Sequence, residues 1–133
     1  MPRGKFIVIE GGEGSGKTTN IKALKDHFGE EQFVFTREPG GTDVGDDIRE
    51  ILLQKDMSVM CELMLFCAGR TEHLRSLILP SLEEGKHVVT DRFWLSTIAY
   101  QLYGRGREDW LQVFKELNEH TVTIGGMRVD PDC

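Results

Sequence analysis

Phe6-Ile7-Val8-Ile9-Glu10-Gly11-Gly12-Glu13-Gly14-Ser15-Gly16-Lys17-Thr18 sets the architecture. Lys5 to Ile9 is a short continuous run of β-branched and aromatic residues, the mark of a buried strand in a parallel sheet rather than half of an exposed hairpin. Glycines follow, and from Lys17 to Phe28 apolar side chains recur with helical spacing at Ile21, Leu24 and Phe28. Strand, glycine loop and helix open a βαβ unit. Within it, Gly11 to Thr18 satisfies the G-x-x-x-x-G-K-[ST] pattern between a strand and a helix N-terminus, where its mechanism requires it. Gly11, Gly12, Glu13, Gly14, Ser15 and Gly16 let the backbone fold around phosphates with N–H groups turned inward, and the helix adds its positive dipole. Lys17 reaches the β- and γ-phosphates of a bound nucleotide, and the Thr18 hydroxyl suits Mg²⁺.

The pattern continues outward from this unit. A second strand fits Gln32 to Thr36, closed by the turn formers Glu38-Pro39-Gly40-Gly41, and an amphipathic helix runs from about Asp43 to Leu53. The next helix starts at Ser58, a fitting N-cap, and continues toward Leu82. Pro80 predicts a kink or break inside it, and Gly85 a stop. His87-Val88-Val89-Thr90 reads as a third strand ending in Asp91-Arg92. Helical patterns follow over Phe93–Leu102 and, after Gly104-Arg105-Gly106, over Arg107–His120. Strands alternating with helices imply an α/β fold of three layers, a parallel sheet covered on both faces.

Length and charge bound the function. The chain has 133 residues, which suits a single domain. Sixteen Lys+Arg against 22 Asp+Glu leave a formal charge of −6, without the basic footprint of a nucleic-acid binder. Apolar runs are far shorter than the roughly 20 residues of a membrane-spanning helix, so no membrane partner is expected. The start of the chain lacks the pattern of a signal peptide, and a cytoplasmic location is the default. Three cysteines, Cys61, Cys67 and Cys133, show no metal-binding spacing and read as reduced thiols, two packed in a helix and one at the end. The four histidines have no sequence partner that marks them as catalytic and are assigned structural places.

A phosphate loop calls for a carboxylate at the end of another strand to hold Mg²⁺ directly or through water. Asp91 is the candidate, its alternative being an acid at a helix N-terminus. Arg37, Arg49, Arg70 and Arg92 stand at element ends or on an apolar helix. Each alone also reads as a surface arginine; as a set beside a phosphate loop they favour a phosphoryl acceptor that is itself phosphorylated.

Phe6-Ile7-Val8-Ile9-Glu10-Gly11 leading into the loop, Thr36-Arg37-Glu38-Pro39-Gly40-Gly41-Thr42, Phe66-x-x-x-Arg70, and Asp91-Arg92-Phe93 with Ser96-Thr97 and Ala99-Tyr100-Gln101 resemble, in order and spacing, the thymidylate kinases of bacterial type. The resemblance implies the P-loop nucleoside monophosphate kinase fold and transfer of the γ-phosphoryl group of ATP to dTMP, with Mg²⁺. It implies catalytic roles for Lys17, Asp91 and Arg92. Phe66 would stack on thymine, a core position being its alternative, and Arg70 would donate to O4, where cytosine carries an amino donor instead. Ser96, Thr97 and Gln101 would serve the base edge, Tyr100 would lie near C2′, and Glu10 near the 3′-hydroxyl. Arg49 and Arg92 would hold the acceptor phosphate, and Arg37 and Pro39 would line the cleft.

The resemblance also implies a homodimer formed through helices. Glu13 stands where some family loops carry an arginine, and loops without one rely on a basic lid later in the chain. Residues 1–133 would then be one kinase domain lacking its last strands and lid, with Phe6–Ile9 left as an exposed apolar edge. Two functional alternatives accompany this reading: a non-catalytic nucleotide-binding remnant, and a kinase for another nucleoside monophosphate.

Overall fold

The computed structural model describes residues 2–12 and 14–133. Strands β1 (Phe6–Ile9), β2 (Phe33–Arg37) and β3 (His87–Asp91) form one parallel sheet in the order β1-β3-β2. The register places both Ile9 and Arg37 opposite Asp91. The three strands therefore end level, and the residues that follow them, Glu10, Glu38 and Arg92, emerge side by side at the carboxyl edge. Two further bonds extend the ladder there, Arg92 N to Ile9 O and Glu38 N to Asp91 O, each 2.9 Å. In a parallel α/β sheet this edge is where ligands bind.

Alternate strand residues face opposite ways. Phe6, Val8, Val34 and Val88 point into the main core. It is filled by one long helical run, α3 (Val59–His73), a π-helical turn over Leu74–Ile78, and α4 (Leu79–Glu83). Leu74, Ile78 and Leu82 of this run are fully buried against the sheet. Helix α1 (Lys17–Phe28) lies by the other face, where Phe28 stacks on Phe33 with ring centroids 4.9 Å apart. That cover is thin, since no residue of α1 is buried. A second cluster joins Leu63 and Cys67 of α3 to Leu102 and Phe114.

Caps fix the helix ends. Thr42 accepts Gly45 N at 2.8 Å to start α2 (Asp43–Gln54), and Ser58 accepts Cys61 N at 3.2 Å to start α3. The break anticipated at Pro80 does not occur there. The helical register widens one turn earlier, in the π turn, and Pro80 falls in the first turn of α4, where its missing N–H is not required. The run stops at Gly85, with φ of 85°.

The segment expected to be helical over Phe93–Leu102 divides into α5 (Trp94–Thr97) and a second π turn, Ile98–Leu102. Two 3₁₀ turns follow, Tyr103–Arg105 and Glu108–Trp110, before α6 (Leu111–Thr121). Beyond α6 lies a hairpin that the sequence reading omitted: β4 (Thr123–Ile124) and β5 (Met127–Arg128), antiparallel about Gly125 and Gly126 with φ of 59° and 80°. Two consecutive glycines between extended residues are a turn signal that would have located it.

The exposed apolar edge expected at Phe6–Ile9 is also corrected. Residues 131–133 run along β1, with Asp132 N to Phe6 O at 2.7 Å and Val8 N to Cys133 O at 2.9 Å. Phe6 is fully buried and Ile7, Val8 and Ile9 are half-buried. Cys61 is exposed rather than packed, Cys67 is buried, Cys133 is exposed, and all three are free thiols. No helix among the described residues is long and apolar enough to cross a membrane.

Candidate active site

The loop after β1 turns through Gly14 and Gly16, at φ of 76° and 86°, a backbone region in which a side chain would be strained. Ser15 closes the turn on Gly12 O through its N–H at 3.3 Å and its hydroxyl at 2.7 Å. A Cβ at Gly11 would stand 2.6 Å from Ser15 Oγ, so Gly11 permits this packing. Gly12, Gly14, Gly16, Lys17, Thr18 and Thr19 line a concavity of about 160 Å³ at the N-terminus of α1. Glu13 lies outside the described residues.

Lys17 crosses from α1 to pair with the carboxylate of Asp91. The backbone N–H groups at the start of α5 turn to a different carboxylate, that of Glu10. Glu10 accepts Phe93 N at 3.2 Å, Ser96 N at 3.1 Å and the Ser96 hydroxyl at 2.7 Å. The Thr18 hydroxyl and the Asp91 carboxylate are hard oxygen donors at the loop and at the neighbouring strand end. Such a sparse set fits Mg²⁺, which keeps several waters and shares phosphate oxygens of its substrate.

Arg92 is the one non-glycine residue with positive φ, 74°, among the described residues. The turn places its guanidinium 5.0 Å from the Tyr100 ring centroid and its Nη1 3.2 Å from Ser96 Oγ. Strained backbone of this kind persists where neighbours hold it, and here Thr90 Oγ1 donates to Arg92 O at 3.2 Å.

Beside Arg92 opens a cleft of about 480 Å³, within the range of small-molecule sites. Helix α3 contributes Phe66 and Arg70, one turn apart; the α5 segment contributes Ser96, Thr97, Tyr100 and Gln101; the loop after β2 contributes Glu38 and Pro39. Phe66 is half-buried on the cleft wall and stands outside both hydrophobic clusters. The other expected residues stand apart. Glu10 lies in an adjoining groove of about 240 Å³ that shares Arg92, Ser96 and Tyr100 with the cleft and reaches Gly11 and Gly12 of the loop. Arg49 does not line the cleft; its Nη1 donates to Pro39 O at 3.2 Å and so holds the loop that does. Arg37 is exposed and also outside the lining. The four arginines thus do not converge as a set.

Arg70 is 1% exposed, a buried cation that needs partners. Its Nε donates to Glu38 Oε1 at 2.9 Å and its Nη2 to Thr97 Oγ1 at 2.7 Å, while Nη1 is buried with no partner. Glu38 Oε2 lies 2.8 Å from His73 Nδ1, and His73 Nε2 lies 2.7 Å from Thr36 Oγ1. Sequence reasoning missed Glu38 and His73 as site residues. His73 stands three residues after Arg70 on α3, a spacing that puts both on one helix face and was the available signal. Burial pushes the nearby Cys67 thiol up, an effect opposed by Arg70.

The thymidylate kinase family model matches residues 9–132. The thymidylate kinase of Wolbachia pipientis wMel is 48% identical over 118 residues, covering 86% of this chain and 59% of that protein. That of Halothermothrix orenii is 47% identical over 124 residues, covering 90% of this chain and 59% of its own length. The crystal structure of thymidylate kinase from Ehrlichia chaffeensis superposes with a TM-score of 0.82 at 39% identity, over 98% of this chain and 74% of that one. The chain therefore spans just under three-fifths of the length of these curated relatives.

Proposed function

Because the chain belongs to the thymidylate kinase family, we propose that its loop and cleft are the donor and acceptor halves of a site that transfers the γ-phosphoryl group of ATP to dTMP. A phosphate oxygen of dTMP attacks the γ-phosphorus in line, the bond to the β,γ-bridging oxygen breaks, and dTDP and ADP result. The protein's part is positioning and charge neutralisation. Backbone N–H groups of Gly11 to Gly16 and the ammonium of Lys17 hold the donor phosphates, Lys17 exchanging Asp91 for phosphate oxygens. Thr18 and Asp91 would hold Mg²⁺, which would supply charge neutralisation at the donor phosphates.

On the acceptor side Phe66 stacks on the base, and Ser96, Thr97 and Gln101 contact its edge. Tyr100 faces the sugar at C2′, and Glu10 meets the 3′-hydroxyl from the groove between loop and cleft. Arg92 holds the acceptor phosphate. Arg49 and Arg37 reach it only by moving from their present positions, Arg49 by releasing Pro39 O. Membership of the family also supports assembly as a homodimer.

The observation that carries the acceptor reading is the unpartnered Nη1 of Arg70. A buried donor without a partner costs about 1–3 kcal/mol, more when charged, and a base carbonyl entering the cleft supplies the missing acceptor. The amino group of cytosine at the same place sets donor against donor. Equilibrium binding of dTMP, dUMP, dCMP and dGMP, with ADP release measured in the presence of ATP and Mg²⁺, tests this. Preference for dTMP over dCMP by about tenfold or more is expected; equal binding of the two, or preference for dGMP, would refute it.

A further inference from the structure

An arginine beside a carboxylate commonly closes a fork, with two parallel N–H groups on the two carboxylate oxygens. Glu38 and Arg70 do not. Glu38 offers only Oε1 to Nε, at 2.9 Å, and the adjacent Nη2 goes to Thr97 Oγ1 instead, at 2.7 Å. The reason is on the far side of the carboxylate, where Oε2 is engaged by His73 Nδ1 at 2.8 Å. We propose that His73 is a positioning residue for acceptor selectivity: by holding Oε2 of Glu38 away from Arg70, it fixes the guanidinium so that Nη1 stays free for the carbonyl of the bound base. This rests on the reading of the cleft as a site for a base with a carbonyl at that position.

Among the described residues His73 is the one hydrogen-bond partner of Glu38 Oε2. The ring is fully buried, Arg70 is 1% exposed and Glu38 6%, so bulk water does not replace a lost partner. The tautomer with its proton on Nδ1 donates to Glu38 and leaves Nε2 to accept from the Thr36 hydroxyl, which satisfies both ring nitrogens. Gly41 keeps the ring in place from the other side, because a Cβ there would stand 2.5 Å from Nε2. Thr36 belongs to β2, Glu38 and Gly41 to the turn that follows it, and His73 and Arg70 to α3. The chain Thr36–His73–Glu38–Arg70–Thr97 thus ties three elements to one donor atom. Without His73, Oε2 is free to turn to Nη2, close the fork and displace Thr97, and the guanidinium loses the orientation that leaves Nη1 open.

Asparagine and glutamine separate the two ring contacts. Asparagine places its amide nitrogen near the position of Nδ1 and so keeps the donor to Glu38; glutamine reaches toward the position of Nε2 and Thr36 instead. Calorimetric binding of dTMP and dCMP to His73→Asn, His73→Gln and His73→Leu chains, with thermal unfolding of each, reads the difference. His73→Gln and His73→Leu are expected to lose about tenfold in dTMP affinity, with the dTMP to dCMP ratio falling by a similar factor. His73→Asn is expected to keep most of that ratio. Should His73→Leu fail to fold, the Asn and Gln variants carry the comparison. A ratio unchanged in His73→Gln overturns the proposal, as do losses that follow melting temperature rather than the reach of the amide. If the unsubstituted chain itself shows no preference for dTMP, the acceptor reading fails and takes this role with it; preference with unmoved variants removes only the role of His73.

Discussion

Gly41 shows how much of a site can depend on one missing methyl. Its φ is 85°, and a Cβ would stand 2.4 Å from Thr36 Oγ1 and 2.5 Å from His73 Nε2. Gly41→Ala therefore strains the backbone and drives apart the pair that orients Glu38. A loss of about 2 kcal/mol is expected from the midpoint of urea unfolding, with weaker dTMP binding; an unchanged midpoint would show that the turn after β2 relaxes freely. Cys67 makes a second residue-level case. Burial raises its thiol, so the folded chain keeps the proton where the unfolded chain has released it. The stability it supports is complete below the ordinary thiol range and declines as pH rises through that range. A thiol reagent at mildly alkaline pH should label exposed Cys61 and Cys133 quickly and Cys67 only on unfolding. Three equal rates would contradict the packing around Leu63 and Phe114.

At the level of elements, legibility followed the range of the interactions. The strand, loop and helix over 6–28 are specified by neighbours in sequence, through β-branched residues, glycines and 3.6-residue spacing, and they form as read. Phe66 and Arg70 were named through the family resemblance, and their four-residue spacing put both on one helix face. Glu38 and His73 were not legible, because their partners lie 32 and 35 residues away along the chain and only the packing of α3 against the end of β2 brings them together. The π turns over 74–78 and 98–102 were equally hidden, since a widened turn leaves little trace in hydrophobic spacing. Thr42 joins local and distant effects. It caps α2, whose Arg49 holds Pro39 at the cleft. Thr42→Ala should cost about 1 kcal/mol with an unchanged denaturant slope, and Thr42→Ser should restore most of it. Equal losses in both would mean that the threonine methyl, not the cap, matters.

Across the whole molecule, stability is unevenly spread. β3 is bonded on both sides and carries Val88, Val89 and Thr90, each 2% exposed or less, whereas β1 and β2 are each bonded to one strand, β1 gaining residues 131–133 at its other edge. Helix α1 has no buried residue and ends in Phe28, 51% exposed. Yet α1 begins at the phosphate loop and supplies Lys17 and Thr18. The helix proposed to grip the donor phosphates is thus thinly anchored, and the strand that presents Asp91 firmly so. Native-state hydrogen exchange should rank their amides accordingly, with α1 opening at low free energy and β3 near the global limit. On the proposed reading, phosphates at the loop engage the first N–H groups of α1, so ATP with Mg²⁺ should slow exchange through α1 and leave β3 unmoved. Exchange in α1 as slow as in β3 before nucleotide is added would show that the thin cover over this face is stronger than its burial implies. Protection by ATP confined to the cleft around Arg70 would instead place the donor on the acceptor side and contradict the division of the site between loop and cleft.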